Sequence, residues 1–475
     1  MKSHFVISVL LLGLSLNGWA QTTIFNISGT VKDTQGKGIA EVVVNDGYHF
    51  TQTDKNGNWT LSPDTALSKF ISISTPAAYV LPQTNGVASG FYVPIRTAVE
   101  KKGHDFVLEP RKAINDHFYY IAISDPQVRN DKEMKRWRTE TVEDLQVLVD
   151  SLKGLHEVVG MTLGDLVFDN MSLYEEFKQS IQNMGMTVFQ CIGNHDFDQQ
   201  YQDLHNMELG TPVYGEMLFN HYFGPTDYSF NIGKVHVVTL KNLNYVSHKK
   251  YIECLTGAQI AWLKKDLSYL PEGSLVILNM HAAGWNTVSG GGNVRNADKL
   301  EEALKGYKVH VFCGHTHYLQ NDQVNPDLYE HNIGAACGAW WSGWVNRCGA
   351  PNGYMLVEVN GNDLKWHYKG TRHSFDYQFY IYKPGEFLTQ SSFVVANVWD
   401  WDKDCQVVWY QDGKAMGEME QFTDADESYA KTLKDRKASS LTAHLFRAMP
   451  KDGAKEITIA FTNRFGETYT QTIHL

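Results

Sequence analysis

Five short apolar runs in the middle of the chain are each followed by side chains that can bind a metal ion. The run at 118–124 precedes Asp125 and Gln127, and later runs precede GDLVFD (164–169), GNHD (193–196), His281 and GHTH (314–317). Carboxylate, amide and imidazole groups bind divalent cations, and none of these motifs contains Lys or Arg. Each motif alone has an ordinary explanation as a helix cap, a turn or a core histidine. Five in succession at strand ends favour ligands that converge on cations.

The apolar runs alternate with segments of helical spacing. Strands are predicted at 118–124, 158–163, 188–192, 275–280 and 309–313, and helices at 132–152 and 174–184. This alternation is typical of a layered α/β core. In an open α/β sheet, ligands bind at the carboxyl ends of the strands, which is where the polar motifs stand. The catalytic part is therefore predicted to span residues 113–372.

The sequences on both sides of this core have the pattern of β structure. Residues 21–112 combine short apolar runs with Gly- and Asp-rich turns, which predicts a small β-sandwich. The segment GTVKDTQGKGIAEVVVNDG (29–47) resembles the carboxypeptidase regulatory-like domain, a module without chemistry of its own. Residues 373–475 return to short strand-like runs and are predicted to form a C-terminal β domain.

Together, the five motifs resemble the signature of the calcineurin-like metallophosphoesterase superfamily: D-x-H, GDxxxD, GNH[D/E], H and GHxH. The resemblance implies a four-layer α/β/β/α sandwich that holds two metal ions, flanked here by two small β domains. It assigns to the first metal Asp125, Asp165 and His317, with Gln127 near it, and to the second metal Asp165, Asn194, His281 and His315.

Gln127 departs from the superfamily, which usually has histidine at this position, although a subset carries the same D-P-Q sequence. An amide oxygen is a poorer donor than imidazole for zinc and the late transition metals. We therefore expect the first site to be weaker, or to select harder ions such as Mn²⁺ or Mg²⁺. The predicted cofactor is a pair of divalent ions, Mn, Fe, Zn or Mg, with Mn favoured.

The resemblance implies hydrolysis of a phosphate ester, as a monoester or a diester, by a metal-activated water. Two cations about 3.5–4 Å apart clamp a phosphoryl group and lower the pKa of a bound water. His195 resembles the superfamily's non-ligating acid, which protonates the leaving group. Asp169 is a candidate for a residue that contacts the site residues without binding the metal itself. Asp196 has two interpretations, a structural residue or one that orients a histidine.

An aromatic loop at 338–354 follows GHTH and supplies most of the candidate substrate-pocket residues, which are Trp340, Trp341, Trp344, Arg347 and Tyr354. Trp285, four residues after His281, is a further candidate. Aromatic faces and one guanidinium can hold a base, a sugar or a lipid headgroup. The alternative is that these tryptophans pack the core against the C-terminal β domain.

The chain of 475 residues carries a net charge of −11. An acidic balance argues against long nucleic acid as a partner. A small-molecule or surface-bound phosphate ester fits, because metal ions supply positive charge locally. Gln127 is the one feature that favours the alternative function, a non-catalytic surface or binding protein built on a degenerate phosphoesterase core.

Residues 1–20 are predicted to be a cleaved signal peptide. Lys2 precedes the apolar run at 5–16, and Gly18 and Ala20 place small residues before the predicted cut. No later segment is apolar enough to predict a membrane span, so we expect an exported protein, periplasmic or extracellular. Six cysteines are few for a disulfide-stapled fold, and no disulfide is predicted, although Cys337 and Cys348 flank the aromatic loop. The sequence does not predict the oligomeric state.

Overall fold

The computed structural model describes residues 26–63, 67–95, 103–198, 215–247, 250–286 and 293–475. The predicted signal peptide, residues 1–20, lies outside these ranges. Within them, no helix combines the length and the apolar character that crossing a membrane requires.

The N-terminal part contains nine short strands: β1 (Ile27–Asp33), β2 (Val43–Asn45), β3 (Phe50–Gln52), β4 (Asn58–Leu61), β5 (Phe70–Ile73), β6 (Gln83–Thr84), β7 (Val87–Ala88), β8 (Tyr92–Pro94) and β9 (Phe106–Leu108). Seven of them form two sheets, ordered β4-β1-β9 and β3-β2-β5-β8. Val31, Val44 and Ile71, from both sheets, belong to one buried cluster. The hairpin β6–β7 instead joins a sheet of the central core.

The central core is larger and mixes helices with strands. Its elements are β10 (His117–Ile123), α1 (Asp131–Arg136), a π-helical turn (Trp137–Val142), α2 (Glu143–Leu152), β11 (Glu157–Leu163), α3 (Tyr174–Ile181), β12 (Thr187–Cys191), α4 (Met217–Phe223), β13 (Tyr228–Ile232), β14 (Val235–Thr239), β15 (Leu243–Ser247), β16 (Lys250–Glu253), α5 (Gly257–Leu267), β17 (Leu275–Asn279), α6 (Ala297–Leu304), β18 (Lys308–Cys313), β19 (Gln320–Asn325), β20 (Leu328–Asn332), β21 (Gly353–Asn360) and β22 (Asp363–Gly370). Asn130 begins α1, since its side chain accepts backbone N–H groups of the first turn.

Two sheets pack face to face in this core. The first has the order β22-β21-β10-β11-β12-β7-β6, and β10, β11 and β12 are parallel in it. The second has the order β13-β14-β17-β18-β20-β19, and β14, β17 and β18 are parallel in it. Phe189 of the first sheet stacks on Phe230 of the second, with ring centroids 4.0 Å apart. The inner faces of the two sheets therefore form the centre of the molecule.

Helices cover both outer faces. Leu145 of α2 and Phe177 of α3 pack with Ile121 on the outside of the first sheet. Trp262 of α5 and Leu300 of α6 pack on the outside of the second sheet. Full burial of one such side chain contributes about 1.5–3 kcal/mol. The core is the four-layer α/β/β/α sandwich that the resemblance implied.

The C-terminal part is a second β-sandwich. Its elements are β23 (Phe379–Tyr382), β24 (Val394–Val398), β25 (Gln406–Gln411), β26 (Lys414–Glu418), β27 (Glu420–Ala425), α7 (Glu427–Ala430), β28 (Leu441–Ala448), β29 (Glu456–Thr462) and β30 (Thr468–His474). The strands form two sheets, ordered β23-β24-β28-β27 and β26-β25-β29-β30. Val398, Trp409 and Ile459 are buried between them. Two β-rich parts thus flank the α/β core.

Candidate metal centre

The loops that follow β10, β11, β12, β17 and β18 meet at one edge of the sandwich. The predicted ligands stand directly after these strands: Asp125, Gln127, Asp165, Asn194, His281, His315 and His317. Parallel strands place their carboxyl ends at the same edge of a sheet, so residues far apart in sequence come together there.

Glycines in the motifs allow the loops to approach closely. A Cβ atom at Gly314 would collide with Ser124 Oγ and Asp125 Oδ2. A Cβ atom at Gly164 would lie 2.6 Å from His281 Nδ1. The glycines of the GD and GH pairs are therefore required by the packing of one ligand loop against another.

The backbone at this edge is strained. Twelve non-glycine residues of the described ranges have a positive φ, and eight of them lie here: Asp125, Gln127, Asp165, Asp169, His315, His317, Trp340 and Trp341. Such conformations cost about 1–3 kcal/mol each and persist where the surrounding structure holds them. The strained residues are concentrated in the loops that carry the predicted ligands.

Asp165, His281 and His315 form a compact group, in which one ligand atom from each lies within 4.8 Å of the others. His281 Nε2 lies 3.4 Å from Asp165 Oδ1, 3.1 Å from Asn194 Oδ1 and 3.1 Å from His315 Nδ1. On its other side, His281 Nδ1 donates to the carbonyl of Leu163 at 2.7 Å. This bond keeps a proton on Nδ1 and directs Nε2 toward the group.

The charges of this group favour a cation. Burial opposes the charged form of His281, but the carboxylate of Asp165 outweighs it and raises the pKa of His281 to about 9. Burial and the neighbouring His281 lower the pKa of His315 to about 4. A histidine pKa that is raised despite complete burial indicates that nearby carboxylates outweigh the cost of burial.

Asp125 and His317 form a second pair of predicted ligands. His317 Nε2 is 3.4 Å from Asp125 Oδ1, and its Nδ1 donates to the carbonyl of Gly338 at 2.5 Å. Asp125 Oδ2 accepts from the backbone N–H of His315 at 2.9 Å, whereas the buried Oδ1 has no hydrogen-bond partner in the described structure. A buried carboxylate oxygen that accepts no hydrogen bond is stabilised by positive charge, which His317 supplies here and a divalent cation would supply in its place. The residues therefore fit a divalent ion.

Gln127 lies between Asp165 and Cys337. Its Nε2 donates to Asp165 Oδ2 at 2.7 Å, and its Oε1 lies 3.8 Å from the sulfur of Cys337. Sequence reasoning placed Gln127 near the first metal but did not place Cys337 there. Cys337 and Cys348 are both free thiols.

His195 and Asp169 stand beside the ligands. His195 Nδ1 is 2.9 Å from Asp169 Oδ1, and the imidazole stacks on Phe168 with ring centroids 3.8 Å apart. Burial opposes the charged form of His195, but the carboxylates of Asp165 and Asp169 outweigh it and raise its pKa. With 22% of its side chain exposed, His195 can reach a substrate.

Asp196 connects two ligand loops. Its carboxylate accepts from the backbone N–H groups of Gly193 at 2.8 Å, Leu166 at 3.0 Å and Val167 at 3.3 Å. Burial, with a contribution from Asp165, raises its pKa to about 7. These contacts correspond to the structural interpretation of Asp196.

Comparison with protein families identifies the superfamily of the chain. The family model "Calcineurin-like phosphoesterase" matches residues 119–319, and models of the N-terminal and C-terminal parts of calcineurin-like phosphoesterase match residues 25–111 and 330–469. The chain belongs to the calcineurin-like phosphoesterase superfamily. The resemblance of the N-terminal region to a carboxypeptidase regulatory-like domain stays a prediction.

Solved structures with a similar fold include three phosphatases or nucleotidases. A dimetal phosphatase from Danio rerio is 12% identical, with a TM-score of 0.37, over 53% of this chain and 96% of its own. Purple acid phosphatase PPD1 from yellow lupin is 10% identical, with a TM-score of 0.39, over 69% of this chain and 67% of its own. The 5'-nucleotidase from Candida albicans is 12% identical, with a TM-score of 0.34, over 54% of this chain and 51% of its own. A search of curated proteins finds no match.

Two tryptophans of the aromatic loop contact the positively charged side chain of an arginine in the same chain. The guanidinium of Arg136 lies 4.9 Å from the ring centroids of both Trp341 and Trp344. It also donates to the carbonyl of Trp341 at 2.7 Å. Trp341 is buried, whereas Trp344 is 50% exposed. Their contacts therefore pack the loop against α1.

The other candidate pocket residues take different positions. Trp340 stacks on His317 at 4.7 Å between centroids and is 36% exposed, so it borders the metal centre. Arg347 donates to the carbonyl of Thr316 at 3.1 Å and so stabilises the GHTH loop. Tyr354 is completely buried and donates to Asp144 at 2.7 Å, which places it in the core. Trp285 packs on the outer side of the second sheet.

The hairpin β15–β16 contributes residues that sequence reasoning missed. The hydroxyl of Tyr245 donates to the carbonyl of Asn194 at 2.5 Å. The ring of Tyr251 lies 6.0 Å from that of His315, and Glu253 Oε1 is 4.0 Å from His315 Nε2. No motif marks this segment, so the sequence offered no signal for its position.

Proposed function

We propose that the protein is a dinuclear metal-dependent phosphoesterase that hydrolyses a small or surface-bound phosphate ester. One observation carries the proposal: predicted ligands from five separate loops meet at one edge of the sandwich, where ligand atoms of Asp165, His281 and His315 lie within 4.8 Å of one another and His317 Nε2 lies 3.4 Å from Asp125 Oδ1. Membership of the calcineurin-like phosphoesterase superfamily supports hydrolysis of a phosphoester.

Two divalent ions, with Mn²⁺ favoured, would supply positive charge for the phosphoryl oxygens and lower the pKa of a water. The residues that would hold them are Asp125, Asp165 and His317 for the first ion and Asp165, Asn194, His281 and His315 for the second. The burial of these side chains excludes water from the ligands and strengthens their electrostatic interactions.

His195 would protonate the leaving oxygen. Because Nδ1 is engaged by Asp169, Nε2 is the nitrogen that can carry a proton to the substrate. The raised pKa keeps that proton available, and the stacking on Phe168 fixes the plane of the ring. A positioned acid of this kind contributes typically about 10²–10⁴-fold to the rate.

The activity test uses chromogenic phosphate monoesters and diesters, with metal-free protein and with protein to which Mn²⁺ is added. We expect metal-dependent turnover of at least one ester class and its loss in His281→Ala. Exposed His221, on α4, offers a matched control in His221→Ala, which should keep full activity. Two bound metals with no turnover of either ester would contradict hydrolysis of such simple esters, and absence of metal binding would contradict the dinuclear site.

We also propose that the protein is exported. The apolar run at 5–16 after Lys2, with small residues before the predicted cut, supports this. Fractionation of the producing cells, with N-terminal sequencing of the mature chain, tests it. A mature chain that begins at Gln21 outside the cytoplasm is expected, and a cytoplasmic chain that retains residues 1–20 would contradict export.

A further inference from the structure

We propose that Gln127 positions the bridging carboxylate of Asp165 by donating a hydrogen bond to it and is not itself a ligand of the first metal. The inference rests on the dinuclear site proposed above. It concerns the residue at which this chain departs from the D-x-H motif of its superfamily.

Two hydrogen bonds join Gln127 to Asp165. The side-chain Nε2 donates to Asp165 Oδ2 at 2.7 Å, and the backbone N–H of Gln127 donates to the carbonyl of Asp165 at 2.7 Å. Gln127 is 3% exposed, and its φ of 45° lies in the left-handed region. Both the backbone and the side chain of Gln127 are therefore bonded to Asp165, and the left-handed backbone conformation directs the side chain toward it.

The chemistry of the neighbours fixes the orientation of the amide. An ionised carboxylate only accepts hydrogen bonds, so the Gln127 atom 2.7 Å from Asp165 Oδ2 must be the NH₂ group. The opposite orientation would place two acceptor oxygens in contact. On the far side, Oε1 faces the thiol of Cys337 at 3.8 Å, and a thiol is a weak donor. The carbonyl oxygen, the only metal-binding atom of Gln127, is therefore directed away from Asp165.

Each carboxylate oxygen of Asp165 accepts one hydrogen bond that helps to fix the orientation of the carboxylate. Oδ1 accepts from the backbone N–H of His195 at 2.8 Å, and Oδ2 accepts from Gln127. A carboxylate oxygen that accepts one hydrogen bond still has a lone pair for a cation. Three side chains then serve the first metal, Asp125, Asp165 and His317, and Gln127 acts on both metals through the carboxylate that they share.

This role differs measurably from that of a ligand. Loss of a ligand would weaken the first site alone, whereas loss of the donor to a shared carboxylate weakens both sites. Removal of an outer-sphere partner typically costs about 10–100-fold in metal affinity. The decisive variant is Gln127→Met, which keeps the approximate length of the side chain and removes the amide.

The experiment is calorimetric titration of metal-free wild type and Gln127→Met with Mn²⁺. We expect affinity to fall about tenfold or more at both sites by similar factors. Weakening confined to one site, or no change, would overturn the proposal. A wild type that binds fewer than two ions would overturn both this inference and the dinuclear site, whereas two bound ions without turnover would contradict only the proposed hydrolysis.

A second variant decides the matter if Gln127→Met does not fold. Gln127→His introduces the residue that the superfamily usually has, and on our proposal it adds a ligand that the wild type lacks. The visible absorption of Co²⁺ weakens as its coordination number rises. We expect Co²⁺-loaded Gln127→His to absorb less per ion than wild type and to bind the first ion more tightly. An unchanged spectrum and affinity would show that Gln127 already coordinates the ion.

Discussion

His195 and Asp169 hold each other by two hydrogen bonds of opposite direction. The imidazole Nδ1 lies 2.9 Å from Asp169 Oδ1, and the backbone N–H of Asp169 donates to the carbonyl of His195 at 3.0 Å. The loops after β11 and β12 are thereby fixed to each other beside the metal ligands. The contact with Asp169 sets the tautomer of His195.

Replacement of His195 is expected to slow the reaction without loss of metal. His195→Ala should lower kcat about 100-fold or more for alkyl phosphates, whose leaving groups need a proton, and much less for nitrophenyl esters. Asp169→Asn should show a smaller loss of the same kind. The measurement is kcat across esters of graded leaving-group pKa, with metal content determined in parallel. Loss of metal from His195→Ala would contradict the role of proton donor.

Metal binding is expected to stabilise the fold. An ion that binds the folded state alone adds about 2.7 kcal/mol to the free energy of unfolding at a hundredfold excess over its Kd. Metal-free protein should therefore melt at a lower temperature than protein with added Mn²⁺. His317→Ala should show a smaller rise in Tm on addition of Mn²⁺. A Tm that does not respond to Mn²⁺ would contradict the site.

Gly314→Ala is expected to disrupt the site because the added Cβ would collide with Ser124 and Asp125. Overpacking typically costs about 1–3 kcal/mol, and here it also displaces a ligand. We expect a lower Tm and reduced metal content. Gly257→Ala is the matched control, since a Cβ there meets no atom within 4 Å and Gly257 begins α5. Equal behaviour of the two variants would contradict the packing argument.

Acidification is expected to destabilise the C-terminal sandwich through His444. This residue is 5% exposed, and burial lowers its pKa to about 3. Its unfolded pKa is about 6.5, so as pH falls below that value the unfolded chain binds a proton that the folded chain excludes. The stabilisation is complete above about pH 6.5, and its loss has a slope of at most about 1.4 kcal/mol per pH unit.

The check on this prediction is urea denaturation of metal-free wild type and His444→Phe at pH 7, 6 and 5. Metal-free protein is used because protonation of the metal ligands would otherwise weaken metal binding and add a second pH dependence to the free energy of unfolding. The variant should lose less stability than wild type over this interval. Parallel pH dependence of the two proteins would show that His444 does not contribute.

Much of the core could be predicted because its signals are local. The strands predicted at 158–163 and 309–313 correspond to β11 (Glu157–Leu163) and β18 (Lys308–Cys313). A buried parallel strand is a continuous apolar run, and the ligands follow it directly in sequence. The helix predicted at 132–152 is interrupted by a π-helical turn, Trp137–Val142, which the spacing of apolar residues did not reveal.

The contacts around the ligands could not be predicted, because they join distant segments. Arg136 meets Trp341 across 205 residues, and periodicity does not record such a pairing. The same holds for Cys337 beside Gln127 and for Tyr245 beside Asn194. Short strands were also missed: β6 and β7 contain two residues each, too few to show an alternation of apolar and polar side chains.

The pairing of Val87 with Val188 has a consequence for how the chain can be divided. Without the hairpin β6–β7, β12 would present its unpaired N–H and C=O groups at the border of the sheet. Such an exposed edge is a template for pairing with another molecule. The hairpin β6–β7 covers this edge in the full chain. A core produced from residue 113 onward would expose the edge and would be prone to aggregate, even with every metal ligand in place.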